Sequence, residues 1–191
     1  MKTPSREDLL AIVRNYYDPS NEFLYTTETS PATQRLHALW TQWLENVALW
    51  NAFLDELESE LSTFTVGDTL STGDGGPRCL VYPPKAAGVP TANWIVVGCV
   101  SLLAPVYMVH GVERGYTDDG LRFKKASFAQ PPPSMALTAQ VVARKIETTF
   151  GFSAMSREIA ETPVPLFVEG LEPSEATLFH ALFTSEPSVI P

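Results

Sequence analysis

Residues 35–64, RLHALWTQWLENVALWNAFLDELESELSTF, limit what this chain can fold into more than any other stretch. Leu36, Trp40, Trp43, Val47, Trp50, Leu54, Leu57, Leu61 and Phe64 follow one another at alternating steps of four and three residues. That spacing returns each side chain to one side of an α-helix. Leu39, Leu44, Ala48 and Phe53 widen the apolar face beyond a narrow coiled-coil seam. Three of the chain's four tryptophans lie on it. So wide and aromatic a face predicts one long helix that serves as the spine of a globular core, rather than one strand of a zipper.

The remaining elements are read around that spine. Thr3 as N-cap and Pro4 at the first position predict a helix start, with Leu9, Leu10, Ile12, Val13, Tyr16 and Tyr17 on its apolar face and Asp18-Pro19 ending it. A polar loop over 18–30 follows, and Ser30-Pro31 opens the long helix in the same way. After Phe64 the period changes to that of strands, expected at 65–72, 78–82, 93–102, 106–116 and 121–127. Turns are expected at 71–77 (STGDGGP) and 117–120 (TDDG), and a Pro/Ala/Gly loop at 83–92. Pro131-Pro132-Pro133 is a rigid spacer before a helix at 134–150 that Gly151 caps. A short helix at 154–161, an extended piece at 164–169 and a final helix at 173–183 complete the chain.

The order helices, strands, helices predicts an α+β domain. An antiparallel sheet of three to five strands packs against the Trp-rich helix and further N- and C-terminal helices. The 191 residues are expected to form a single domain, with a helical part over 1–64, a sheet part over 65–130 and a helical C-terminal part over 131–191. One segment tests this reading. From Trp94 to Val112, WIVVGCVSLLAPVYMVHGV carries no formal charge and reaches the length of a membrane-spanning helix. Pro105, Gly98, His110 and the Val/Ile enrichment favour two buried strands joined near residues 103–105.

Charge and cysteine content restrict the function. A net charge of −9 lacks the basic footprint of a nucleic-acid binder and suits a basic protein partner. Cys79 and Cys99 are too few for a disulfide scaffold, and MKTPSREDLL lacks the apolar run of a secretory signal, so a reducing cytoplasm is expected.

No catalytic, metal or nucleotide motif stands out. Gly73, Gly75 and Gly76 precede a strand rather than a helix, so they read as a turn and not as a phosphate cradle. Cys79, Cys99 and His110, with His37 or His180 as a fourth ligand, would make a zinc set, but no CxxC or HxxxH spacing links them. Buried reduced cysteines and a hydrogen-bonded core histidine are the expectation. There is no GxSxG elbow, and Asp118-Asp119 forms a solvated turn rather than an acid/base pair. No catalytic residue, cofactor or metal is therefore expected.

One local rule is broken. Asp55, Glu56, Glu58 and Glu60 crowd the C-terminal turns of the spine, where the helix dipole favours cations and each carboxylate costs about 0.3–1 kcal/mol. No Lys or Arg lies between Arg35 and Arg78 to offset them. A concentrated acidic surface that opposes local stability suggests a binding role. In size, acidity, architecture and lack of catalytic motifs the chain resembles the immunity proteins that accompany bacterial polymorphic or secretion-delivered toxins. The resemblance implies a non-catalytic inhibitor. Asp55, Glu56, Glu58 and Glu60, with Asp118 and Asp119, would then engage the Lys and Arg of a cognate toxin. The alternative is a small-molecule-binding or enzymatic domain whose pocket lies between the sheet and the helix bearing Trp40, Trp43 and Trp50.

Overall fold

A computed structural model describes residues 3–20, 22, 29–84, 94–116, 122–127 and 133–190. The expected loop at 83–92 lies largely outside these residues. So do the turn at 117–120 and the Pro131-Pro132 part of the spacer. The α+β class holds, with helices on both faces of a mostly antiparallel sheet.

Ser5, rather than Thr3, caps the first helix, α1 (Arg6–Val13). Its hydroxyl accepts the Asp8 N–H at 3.2 Å while the Asp8 carboxylate accepts the Ser5 N–H at 2.9 Å, a reciprocal capping box. Ser30-Pro31 opens α2 (Pro31–Leu44) as expected, Ser30 Oγ accepting the Thr33 N–H at 3.0 Å.

The spine is not one helix. α2 stops at Leu44, residues 45–47 form a turn, and α3 (Ala48–Glu60) starts without a side-chain cap. The reason lies in packing. Leu36 and Trp40 enter a core on one face of the sheet, whereas Trp50, Phe53, Leu57 and Leu61 enter a second core on the other face. A straight helix presents its stripe to one side only, so a seam that feeds both cores has to bend. Trp43 touches both cores and keeps the aromatic contact continuous across the bend, 5.3 Å from Trp40 and 6.0 Å from Trp50 between ring centroids.

Five strands, β1 (Thr65–Thr69), β2 (Arg78–Tyr82), β3 (Trp94–Val100), β4 (Val106–Tyr116) and β5 (Arg122–Ser127), lie in sequence order, each antiparallel to the next. The uncharged stretch 94–112 forms β3 and β4, joined by a turn in which buried Ser101 accepts the Leu103 N–H at 3.1 Å. Among the described residues no helix is long and apolar enough to cross a membrane. Alternation divides the strands between the cores. Leu80, Ile95, Val97, Cys99, Met108 and Val112 face one side, and Cys79, Val81, Val96, Val100 and Tyr107 the other.

The helix α4 (Pro133–Phe150) covers the second core with Met135, Val142 and Ile146, and Gly151 ends it with φ of 68°. A two-residue strand, β6 (Ser153–Ala154), then adds in parallel to the start of β4. The C-terminal helices are shorter than predicted, α5 (Arg157–Ala160) and α6 (Leu178–Leu182), because much of 162–177 is held by isolated bridges such as Asp18–Phe167 and Pro163–Thr177.

The glycine-rich turn after β1 is buried rather than solvated, from Asp74 through Pro77. A Cβ on Gly76 would stand 1.9 Å from the Val100 carbonyl oxygen, and one on Gly75 would stand 2.4 Å from the carbonyl carbon of Leu182. Both obstacles are backbone atoms that cannot swing aside. Gly76→Ala should therefore destabilise the fold by at least about 3 kcal/mol. Gly67→Ala, whose Cβ would find its nearest neighbour at 3.9 Å, should stay within about 0.5 kcal/mol. Urea unfolding midpoints of the two variants test the contrast.

Candidate functional site

On a helix that advances about 100° per residue, the four predicted acids of α3 cannot share one face. Glu56 and Glu60 fall within about 40° of each other, as do Asp55 and Glu58 within about 60°, and the two pairs point in different directions. The structure shows the consequence. α4 crosses α3 and brings bases that the local sequence lacks. Lys145 Nζ lies 3.3 Å from Glu56 and 3.4 Å from Glu60, and Arg144 also pairs with Glu60. These contacts offset the dipole cost at the end of α3 and tie it to α4. Asp55 and Glu58 are exposed and make no ion pair among the described residues. Asp118 and Asp119 lie outside the described residues.

Two of the three tryptophans expected to wall a pocket between sheet and helix are closed into the cores, and Trp43 is partly buried between them. Trp40 and Trp50 are each 1% exposed. Their indole N–H groups donate to the Asp74 carbonyl at 2.8 Å and to Asp68 Oδ2 at 2.9 Å. They are packed and satisfied core residues. An open cavity lies elsewhere, between residues 16–20 beyond α1, the start of α2 and residues 167–172, with a volume of about 460 Å³.

Nor does a zinc set assemble. Cys99 and His110 are neighbours, Sγ to Nδ1 at 3.8 Å, but Cys79 faces the opposite core. His37 is exposed at the cleft, while Nδ1 of His180 accepts the Thr177 N–H at 3.2 Å. Among the described residues no group of three or more His, Cys, Asp or Glu is placed to hold a metal. Burial pushes the Cys79 thiol up to about 12 and that of Cys99 higher still, so both are thiols at neutral pH.

What sequence reading missed is a buried polar clamp. Arg78, at the start of β2, is 5% exposed and lies 3.6 Å from the carboxylate of Asp74, itself 6% exposed. Its guanidinium donates to the carbonyls of Glu186 at 3.3 Å and Val189 at 3.1 Å. His110 Nε2 lies 3.2 Å from the Pro187 carbonyl. A carbonyl only accepts, so Nε2 carries the proton and Nδ1 is left to accept from the Cys99 thiol. Lys124 Nζ reaches the Ile190 carbonyl. Side chains of β2, β4 and β5 thus hold residues 186–190 by their backbone oxygens. The Arg78–Asp74 spacing is i, i+4 in a glycine loop, where no helical or strand period announces it.

Burial raises the Asp74 carboxyl to about 6, with Arg78 and Thr184 resisting the shift. Burial lowers His110 to about 4, with the Pro187 carbonyl opposing and Arg78 adding to it. The two linkages have opposite sign. His110 releases its proton on folding, so its contribution is lost as pH falls from 6.5 to 4. Asp74 gains proton affinity on folding, so its contribution grows as pH falls from about 6 to 3.8. Each spans about 3 kcal/mol at about 1.4 kcal/mol per pH unit, and the two nearly cancel. Asp74→Asn should therefore lose stability faster than wild type on acidification, and His110→Gln more slowly. Urea unfolding at pH 7, 6, 5 and 4.5 reads both slopes; parallel curves for all three proteins would refute the cancellation.

No family model matches the chain, and neither the curated proteins nor the solved structures give a match to it.

Proposed function

We propose that this chain is a non-catalytic binding protein, an inhibitor of the immunity type that docks onto a basic protein partner through its acidic surface. The observation that carries the reading is the outer face of α3. Asp55 and Glu58 stand exposed in the C-terminal half of the helix, where the dipole opposes them, and no described base meets them there. Their neighbours Glu56 and Glu60 are engaged by Lys145 and Arg144 and serve the fold. Carboxylates kept at a local cost on an exposed face suit a surface that steers a cationic partner. The buried titratable groups Asp74, Cys99 and His110 are committed to the internal clamp, which supports recognition over chemistry. The alternative of a small-molecule site draws its support from the cleft beside α1, not from Trp40, Trp43 and Trp50.

The test is co-expression in a bacterial host with the product of the adjacent open reading frame. Relief of that product's toxicity by this chain is the expected result. The double reversal Asp55→Lys/Glu58→Lys touches no described ion pair and should leave the fold intact. By relieving the dipole cost it should raise the thermal midpoint slightly rather than lower it, yet weaken capture of the toxic partner about tenfold at low salt and flatten the salt dependence. Toxicity that this chain leaves untouched, or capture indifferent to both the reversal and salt, would overturn the proposal.

A further inference from the structure

We propose that the cleft between α1, α2 and residues 167–172 binds a small organic cation, an aliphatic ammonium or guanidinium carried on a short apolar stem. The cleft lies on the face of the sheet opposite α3, so this inference is independent of the one drawn from Asp55 and Glu58.

The cavity comes first. Its 460 Å³ falls within the range of small-ligand sites, about 300–1,000 Å³. Tyr16, Leu36, Phe167 and Leu171 supply apolar wall. Asp18, Glu169 and Glu172 supply charge, and among the described residues no Lys or Arg lines the cavity. These carboxylates are not a local charge run. Asp18 follows α1, whereas Glu169 and Glu172 come from the far side of the sequence, and the Phe167 N–H joins the two segments by donating to the Asp18 carbonyl at 2.8 Å. The fold itself assembles the three acids around one space.

A second observation concerns Glu169. Its carboxylate lies directly over Gly73, where a Cβ would stand 1.9 Å from one oxygen and 2.5 Å from the other. That position sets it beside buried Asp74, a group of like charge, and the two acids, after burial, help hold the Tyr17 phenol above its ordinary range. Arg78 answers Asp74 from the buried side. The Glu169 carboxylate makes no hydrogen bond or ion pair among the described residues, and it faces the cavity that Tyr16 and Phe167 wall. A convergence of like charges against an apolar space is relieved by a cation with an apolar stem, and the ring of Tyr16 adds a face for the charged head. An inorganic ion would leave the apolar wall unused.

The discriminating probes are n-butylguanidinium and its neutral isostere n-butylurea, titrated into the full chain by calorimetry, with calcium as a third ligand. The guanidinium should bind saturably below about 10 mM, and the urea should give no saturable heat. Glu169→Gln and Glu172→Gln, both at exposed positions, should each weaken binding about tenfold without moving the thermal midpoint. Gly73→Ala keeps every charge but pushes the Glu169 carboxylate aside, and it should weaken binding comparably. Equal binding of guanidinium and urea, calcium binding in place of the guanidinium, absence of saturable guanidinium binding, or affinity unchanged in Glu169→Gln/Glu172→Gln would each overturn the proposal.

Discussion

Burying a guanidinium costs several kcal/mol unless its charge and its N–H groups are met. Arg78 is met from two directions at once. Asp74, four residues earlier, answers the charge, and the carbonyls of Glu186 and Val189 answer the hydrogens; only Nε lacks a partner among its described neighbours. Other buried polar contacts lie around this pair. The Asp74 backbone oxygen receives the Trp40 indole, His110 holds Pro187, and the Tyr17 hydroxyl reaches the Ala181 carbonyl at 2.8 Å. The loop after α1, helices α2 and α6, the glycine-rich turn, strands β2 and β4 and the segment after α6 are thus each held in part by polar groups that another of them supplies.

The two faces of the sheet have different character as a result. The face under α3 and α4 is an aromatic core, where Trp50, Phe53 and Phe150 pack with centroids 5.1 to 6.1 Å apart. Polar contacts at its rim, Glu56 and Glu60 with Lys145, lie near the surface and serve registration between helices more than stability. The other face carries the buried charge pair, the imidazole and the thiol. It also opens to the cleft, whose floor at Gly73 lies one residue from Asp74. The polar side of the interior and the cleft are thus neighbours.

Much of this architecture was legible in the residues, and what was not has physical causes. Strands β2 and β4 were bounded to the residue, and β3 and β5 to within one or two, because alternation and turn residues are local signals. The start of α2 was legible for the same reason: Ser30-Pro31 is a complete cap. The bend at 45–47 was not. Periodicity reports that a face is apolar but not which of two cores receives it, and the seam from Leu36 to Phe64 continues through the break without a missed step. The bases beside Glu56 and Glu60 were invisible because they lie on α4, more than eighty residues away. The acids at the cleft were invisible likewise, since Asp18 and Glu169 meet only through a bridge between distant segments. Local chemistry could be read along the chain. Pairings made by topology could not.

The reach of the Arg78 contacts has a temporal meaning. The carbonyls that hold the guanidinium lie 108 and 111 residues further along the chain. A nascent polypeptide that has completed β2, β3 and β4 therefore carries a cation in its interior whose hydrogen-bond acceptors have not yet been synthesised. Burying Arg78 before those residues are made would leave its guanidinium hydrogens unanswered, so close packing of that side is expected to follow the segment after α6. A chain truncated before residue 186 would leave the same guanidinium without those acceptors.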